Sequence, residues 1–172
     1  MSSSSNDDSD SGTAGEAHAT FSEQARAYGE AFAAASGLDL TAQVTADDAD
    51  GLVLAFDGPD AHLLAARRGQ VLDALQLLAT YSLRGASHQS GPRPPRLTCD
   101  AEGYRAKRKA TLCQMAHALA DEVKSSGQEA VLDPLSPLER RIVHTALADD
   151  PGVMTYSEGE EPDRYIIISP RV

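Results

Sequence analysis

Hydrophobic residues recur along this chain in two rhythms, and each change of rhythm marks an element. Phe21, Ala25, Tyr28, Phe32 and Ala35 repeat at helical steps, and Thr20-x-x-Glu23 at their start has capping-box spacing. Gly37 ends that run. Leu38, Leu40, Ala42 and Val44 then alternate with Asp39, Thr41 and Gln43, the rhythm of a half-buried strand. A turn at Asp47–Gly51 and a second set, Leu52, Leu54 and Phe56, predict an antiparallel hairpin over 38–57. Asp57-Gly58-Pro59-Asp60 breaks it. Leu63–Leu78 (LLAARRGQVLDALQLL) predicts two helices meeting at Ala66-Arg67-Arg68-Gly69, the second with a stripe of Leu72, Leu75, Leu78 and Ala79. Gly85–Pro95, with its glycines and prolines, predicts a loop, and Arg96–Asp100 a short strand.

The remainder has the same clarity. Ala101–Ser126 predicts a long helix whose inward stripe is Tyr104, Leu112, Met115, Leu119 and Val123. Gln128–Leu132 is strand-like and stops at Asp133-Pro134. Ser136-Pro137-Leu138-Glu139 combines the Ser-x-x-Glu capping signature with proline at the first helical position. In the helix that follows, Leu138, Ile142, Val143 and Leu147 are expected to point inward. Val153–Tyr156 and Tyr165–Ile168 form a final hairpin around the loop Ser157–Asp163. Met1–Ala19 has no periodic apolar residue and reads as a disordered acidic tail. The expected organisation is therefore a tail at 1–19 and α+β modules at 20–100 and 101–172.

Charge changes this picture more than composition does. The net charge of −11 is concentrated at the front, where residues 1–50 hold ten acids and one base, Arg26. Residues 51–172 hold 16 acids and 14 bases, so an acidic whole-chain balance does not exclude a nucleic-acid surface downstream. The tail reads first as a solubilising segment, and as a sharper alternative it would compete with nucleic acid for that surface. Cys99 and Cys113 suit buried thiols of a reducing compartment rather than a disulfide framework. No apolar run approaches the length of a membrane span, and the Ser/Asp-rich start lacks the pattern of a secretory signal. A cytoplasmic protein without membrane insertion is expected.

Nothing points to an enzyme, a metal or a cofactor. The five histidines stand at no metal-ligand spacing, and no G-x-S-x-G, Walker loop or H-E-x-x-H occurs. Glu158, Glu160 and Glu161 read as solvated residues of the hairpin tip. Three cationic constellations carry candidate chemistry. Arg67, Arg68 and Gly69 form an exposed corner whose glycine leaves helix N–H groups open to an anion. Arg105, Lys107, Arg108 and Lys109 crowd the first turns of a helix, where cations oppose the helix dipole, so local stability does not explain them. Arg140 and His144, four apart, share one helical face and can jointly receive a phosphate. His144 reads equally as a satisfied, partly buried ring.

The order helix, strand, strand, helix, helix, strand, with a basic corner between its middle helices, resembles a type II KH domain. Leu63–Leu78 resembles the version in the Jag (SpoIIIJ-associated) family, through Arg67, Arg68, Gly69, Gln70, Leu72, Asp73, Ala74, Leu75 and Gln76. The resemblance implies a single-stranded nucleic-acid fold whose loop clamps the backbone. Ala66 stands where that family has its first loop glycine. Either its Cβ holds the backbone away from a ligand, or the position is helical and alanine is harmless.

In the second half, GYRAKR, PLSPLERRIVHTAL and SEGEEPDR resemble the R-three-H (Arg-x-x-x-His) domain, again in the Jag order. The motif pair falls on Arg140 and His144, and Arg164 matches the hairpin arginine. Leu135 replaces a methionine. The small N-terminal domain of longer Jag proteins finds no counterpart, and the acidic tail stands in its place. The resemblance implies binding of single-stranded RNA, or DNA, mainly through phosphates at Arg67, Arg68, Gly69, Arg105, Arg108, Arg140, His144 and Arg164. It also implies a small single-KH partner and a post-transcriptional role in envelope elongation, division or sporulation. The rival expectation is a protein-interaction or dimerisation module with a degenerate KH loop.

Overall fold

A computed structural model describes residues 10–47, 51–86 and 95–171 of the protein. They fall into two compact α+β units that divide between Tyr104 and Arg105.

The first unit runs α1 (Asp10–Ser36), β1 (Thr41–Asp47), β2 (Gly51–Asp57), α2 (Ala61–Leu64), α3 (Gln70–Ala86) and β3 (Arg96–Ala101), with one 3-10 turn, Arg67–Gly69, between α2 and α3. This is the expected element order. The sheet order is β1-β2-β3, with β1 antiparallel to β2 and β2 parallel to β3. Strand β2 lies centrally, and its Leu52, Leu54 and Phe56 are buried. Phe21 and Ala25 of α1 and Leu72, Leu75, Ala79 and Leu83 of α3 complete the core. Phe32 meets the Phe56 ring edge-on at 5.6 Å between centroids. Gly29 is what lets α1 come so close: a Cβ there would lie 2.7 Å from Leu54 Cδ1 and 2.8 Å from the Ala42 Cβ.

Four boundaries or faces differ from expectation. Helical backbone begins at Asp10, ahead of Thr20, so Thr20 sits inside a helix rather than capping one. The stretch ahead of Thr20 is rich in alanine, the strongest helix former, and residues 1–9 of the expected tail lie outside the described residues. β1 starts at Thr41, not Leu38, because Asp39 is tied to the following turn. Its N–H donates to Asp60 Oδ2 at 2.8 Å, and its carbonyl accepts from Asp60 N. Leu78 is 60% exposed, and Leu83 takes its place in the stripe. α3 continues to Ala86, past the expected loop start, while 87–94 and the turn residues 48–50 lie outside the described residues.

The second unit contains α4 (Tyr104–Ser126) from Arg105 onward, β4 (Ala130–Val131), α5 (Pro137–Ala146), β5 (Val153–Glu158) and β6 (Tyr165–Pro170), while Tyr104 itself belongs to the first unit. β6 is central, antiparallel to both β4 and β5. Helix α4 starts at Tyr104 rather than Ala101, since Ala101 closes the β3 ladder opposite Phe56. Its buried face is Leu112, Ala116, Ala120 and Val123, and Met115 stands at the edge, 36% exposed. Alanines carry this face because they let the helix approach its neighbours closely. Tyr104 packs instead on the first unit's core. On α5 the expected inward Leu138 is 53% exposed, whereas Glu139 and Arg140 are buried. Both charges are paired and hydrogen-bonded, which is what makes their burial tolerable.

Candidate nucleic-acid interface

The corner of the first unit is built on left-handed backbone. Ala66 has φ −59° and ψ 160°, an extended conformation that alanine adopts freely. The positive φ values fall on the next three residues: Arg67 at 53°, Arg68 at 60° and Gly69 at 82°. The helical alternative for Ala66 does not hold, and the position needs no glycine. The strain sits on the two arginines, about 1–2 kcal/mol for each L-residue held there. Such outliers concentrate at functional sites.

Gly69 is required twice over. Its φ favours glycine, and a Cβ would lie 2.7 Å from Tyr104 Cε1. Its N–H, expected to face an anion, donates to the carbonyls of Ala65 and Ala66 at 3.2 and 3.1 Å. The next N–H, from Gln70, donates to the Arg67 carbonyl. The corner therefore presents the exposed side chains of Arg67 and Arg68 rather than these amides.

In the second unit Glu139 organises the start of α5. Ser136 N donates to Glu139 Oε2 at 3.0 Å, and Glu139 N donates to Ser136 Oγ at 3.3 Å, completing the capping box. The other carboxylate oxygen accepts from Arg108 Nε at 2.7 Å. One buried acid thus caps α5 and clasps α4. Arg108 keeps its two Nη groups for other partners, and its side chain is 26% exposed.

Arg140 lies deeper than a phosphate-facing residue was expected to. Its side chain is 9% exposed. Nη1 donates to the Leu135 carbonyl at 2.6 Å, and the guanidinium fork pairs with both carboxylate oxygens of Glu161 from the hairpin tip. This fork holds the Glu161 carboxyl below the usual carboxylate range, with the nearby Arg164 charge adding to the effect. Glu161 is therefore not simply a solvated turn residue.

His144 is the satisfied, part-buried ring. Nδ1 lies 2.6 Å from Thr155 Oγ1 and Nε2 lies 3.0 Å from Ser157 Oγ. Thr155 and Ser157 are two apart on β5, so both hydroxyls face the ring. Burial, then the Arg140 charge, pushes the imidazole pKa below its ordinary 6.5. A neutral ring between two hydroxyls positions the strand and adds no cation. Arg164 Nη2 reaches the Ser157 carbonyl at 3.4 Å, and its Nε is buried without a partner among the described residues.

The second unit thus gathers Arg108 with Glu139, and separately Arg140, His144, Arg164 and Glu161. Arg105 lies half-buried on α4. Lys107, Lys109 and Arg141, flanking the Arg108–Glu139 pair in sequence, are exposed and make no ion pair among the described residues. Sequence reasoning passed over Thr155 and Ser157 and took Glu161 for a solvated turn residue. The alternation on β5 could have found the two hydroxyls, but no local pattern marks Glu161. Among the described residues no group of acids, histidines and cysteines is arranged to hold a metal, and no helix is long and apolar enough to cross a membrane.

Residues 110–170 match the R-three-H domain family. A protein named RNA-binding protein KhpB from Clostridium symbiosum is 42% identical over 112 residues, covering 65% of this chain and 49% of its own. Proteins of the same name from Bacillus subtilis and Lactiplantibacillus plantarum are 40% and 36% identical over 114 and 120 residues. Those matches cover 65% and 69% of this chain, and 53% and 35% of the relatives. The chain spans about half or less of the length of the curated relatives it matches. The aligned stretches are longer than the second unit, so the likeness reaches into the first. Residues 110–170 thus carry an R-three-H domain, and the chain is similar to these proteins.

Proposed function

We propose that this chain, with its R-three-H domain, binds single-stranded RNA through the phosphate backbone, with single-stranded DNA as an alternative ligand. The first unit serves as a type II KH-like module and the second as the R-three-H module. The observation that carries this reading is the set of solvent-facing cations on α4 and α5. Among the described residues Lys107, Lys109 and Arg141 make no ion pair, on an otherwise acidic chain, beside an Arg108 anchored by Nε alone. Relatives named RNA-binding proteins support it. We assign the corner arginines, Arg67 and Arg68, to the same task. Arg105, Arg140, His144 and Arg164 then frame the second surface. The protein is a cytoplasmic, non-enzymatic regulator acting after transcription, in envelope elongation, division or sporulation.

About three phosphate contacts at roughly 0.7 per contact give a log K against log salt slope near −2. Fluorescence anisotropy with a labelled oligoribonucleotide between about 50 and 300 mM salt measures it. Retained binding with a flat slope refutes backbone recognition. A second reading, protein contact, is favoured by one observation: α3 exposes Leu77, Leu78 and Tyr81, at 57, 60 and 70%. We assign this face to a protein partner, a small single-KH protein by resemblance. Cross-linking in cells separates the readings, since recovery of the partner without RNA favours the second.

A further inference from the structure

A carboxylate already occupies the position where a phosphate would engage Arg140. We propose that Glu161 is an internal competitor for nucleic acid: its carboxylate holds the Arg140 fork until a backbone phosphate displaces it. This inference rests on the RNA-binding reading and goes beyond it by naming the residue that sets the affinity of the R-three-H surface. Three observations carry it. The contact is bidentate, with both Glu161 oxygens on one guanidinium, the geometry in which arginine also takes a phosphate. The arginine side chain is 9% exposed but the glutamate is 51% exposed, so solvent reaches the outer side of the pair. Glu161 also lies near enough to Arg164 to feel its charge, and Arg164 Nε has no partner among the described residues.

One carboxylate is therefore bound by Arg140 and lies within the field of Arg164. With Glu161 swung outward the two arginines would form a doubly positive anion site. Displacement breaks no backbone bond of α5, because the capping box and the Arg140–Leu135 bond do not involve Glu161. The hairpin tip is the moving part, while the arginine stays fixed on its helix. A backbone phosphodiester carries one negative charge on two non-bridging oxygens, so it can take the Arg140 fork in the same bidentate way as the carboxylate it displaces.

The test compares wild type, Glu161→Gln and Glu160→Gln in the full chain, binding a fluorescent dodecamer of uridylate at about 0.1 M salt. Glu160 is an exposed neighbour with no ion pair among the described residues, so its substitution reports the general effect of losing one negative charge. Glu161→Gln is expected to bind about fivefold more tightly than Glu160→Gln, the scale of releasing one half-exposed ion pair. Its salt slope should match that of wild type, because the same phosphate reaches Arg140 in both. In wild type the Glu161 carboxyl carbon-13 resonance should move on saturation with RNA. Equal affinities of the two variants, weaker binding by Glu161→Gln, or an unmoved resonance overturns the competition while leaving RNA binding in place. Failure of all three proteins to bind overturns both.

Discussion

Replacing Gly69 by alanine tests whether the basic corner is held by the backbone geometry described above. The added Cβ meets two penalties. At φ 82° the residue must adopt a left-handed conformation, which costs an L-residue about 1–2 kcal/mol relative to glycine. The Cβ would also stand 2.7 Å from Tyr104 Cε1, and relieving such overpacking costs about 1–3 kcal/mol. Tyr104 is half-buried and its ring can give somewhat, so the sum belongs in the lower part of the range, about 2–4 kcal/mol. The chain has no tryptophan, so urea unfolding followed by far-ultraviolet circular dichroism is the suitable assay. Tyr104→Ala provides the control. In that background the clash is gone, and Gly69→Ala should cost only the conformational part, about 1–2 kcal/mol. A single substitution costing less than about 0.5 kcal/mol would refute the geometry. A double-mutant cycle with no coupling would show that the ring is not what Gly69 accommodates.

Ala66→Gly, which places glycine where the Jag family has its first loop glycine, should not strengthen RNA binding, because position 66 is extended at negative φ. It should lower stability by about 0.4–1 kcal/mol through the freer unfolded chain, and tighter binding in an anisotropy titration would contradict this. Glu139→Ala removes a capping acceptor and the Arg108 partner together, with an expected loss of about 2–4 kcal/mol in urea unfolding. Glu139→Gln keeps the cap and should recover part of it. Because His144 titrates below its ordinary 6.5 in the folded protein, the unfolded chain binds the proton more readily. Stability is therefore full above about pH 6.5 and falls as pH drops through the lowered folded value. His144→Gln should flatten this region of a stability profile against pH, and an unchanged profile would show that another group is responsible.

How much of this was legible in the chain depends on how far apart the interacting residues lie. Periodicity located the helices and strands, and with them the α+β class and the order of elements, because a 3.6 or 2.0 repeat is a property of neighbouring residues. The Ser136-x-x-Glu139 cap was equally local, and the structure shows both of its bonds. The cationic corner also stood where the sequence placed it, between two helices. Conformation inside that corner was not local in the same sense. The missing glycine at 66 left open whether Ala66 is helical, whereas the turn leaves it extended and places its positive φ on Arg67, Arg68 and Gly69.

Only the tertiary structure decided the character of the second surface. Glu139 and Arg108 meet across 31 residues, and Arg140 and Glu161 across 21. A charged side chain is costly to bury alone and acceptable once it is paired and hydrogen-bonded. Its depth is therefore set by a partner that no short window contains. That is why the helical pattern sent Leu138 inward while the fold buried Glu139 and Arg140 instead. The same reasoning covers His144, whose charge state depends on two hydroxyls brought in by a strand and on the arginine one turn away. Local sequence named the residues of this surface, and long-range pairing settled which of them remain open to a ligand.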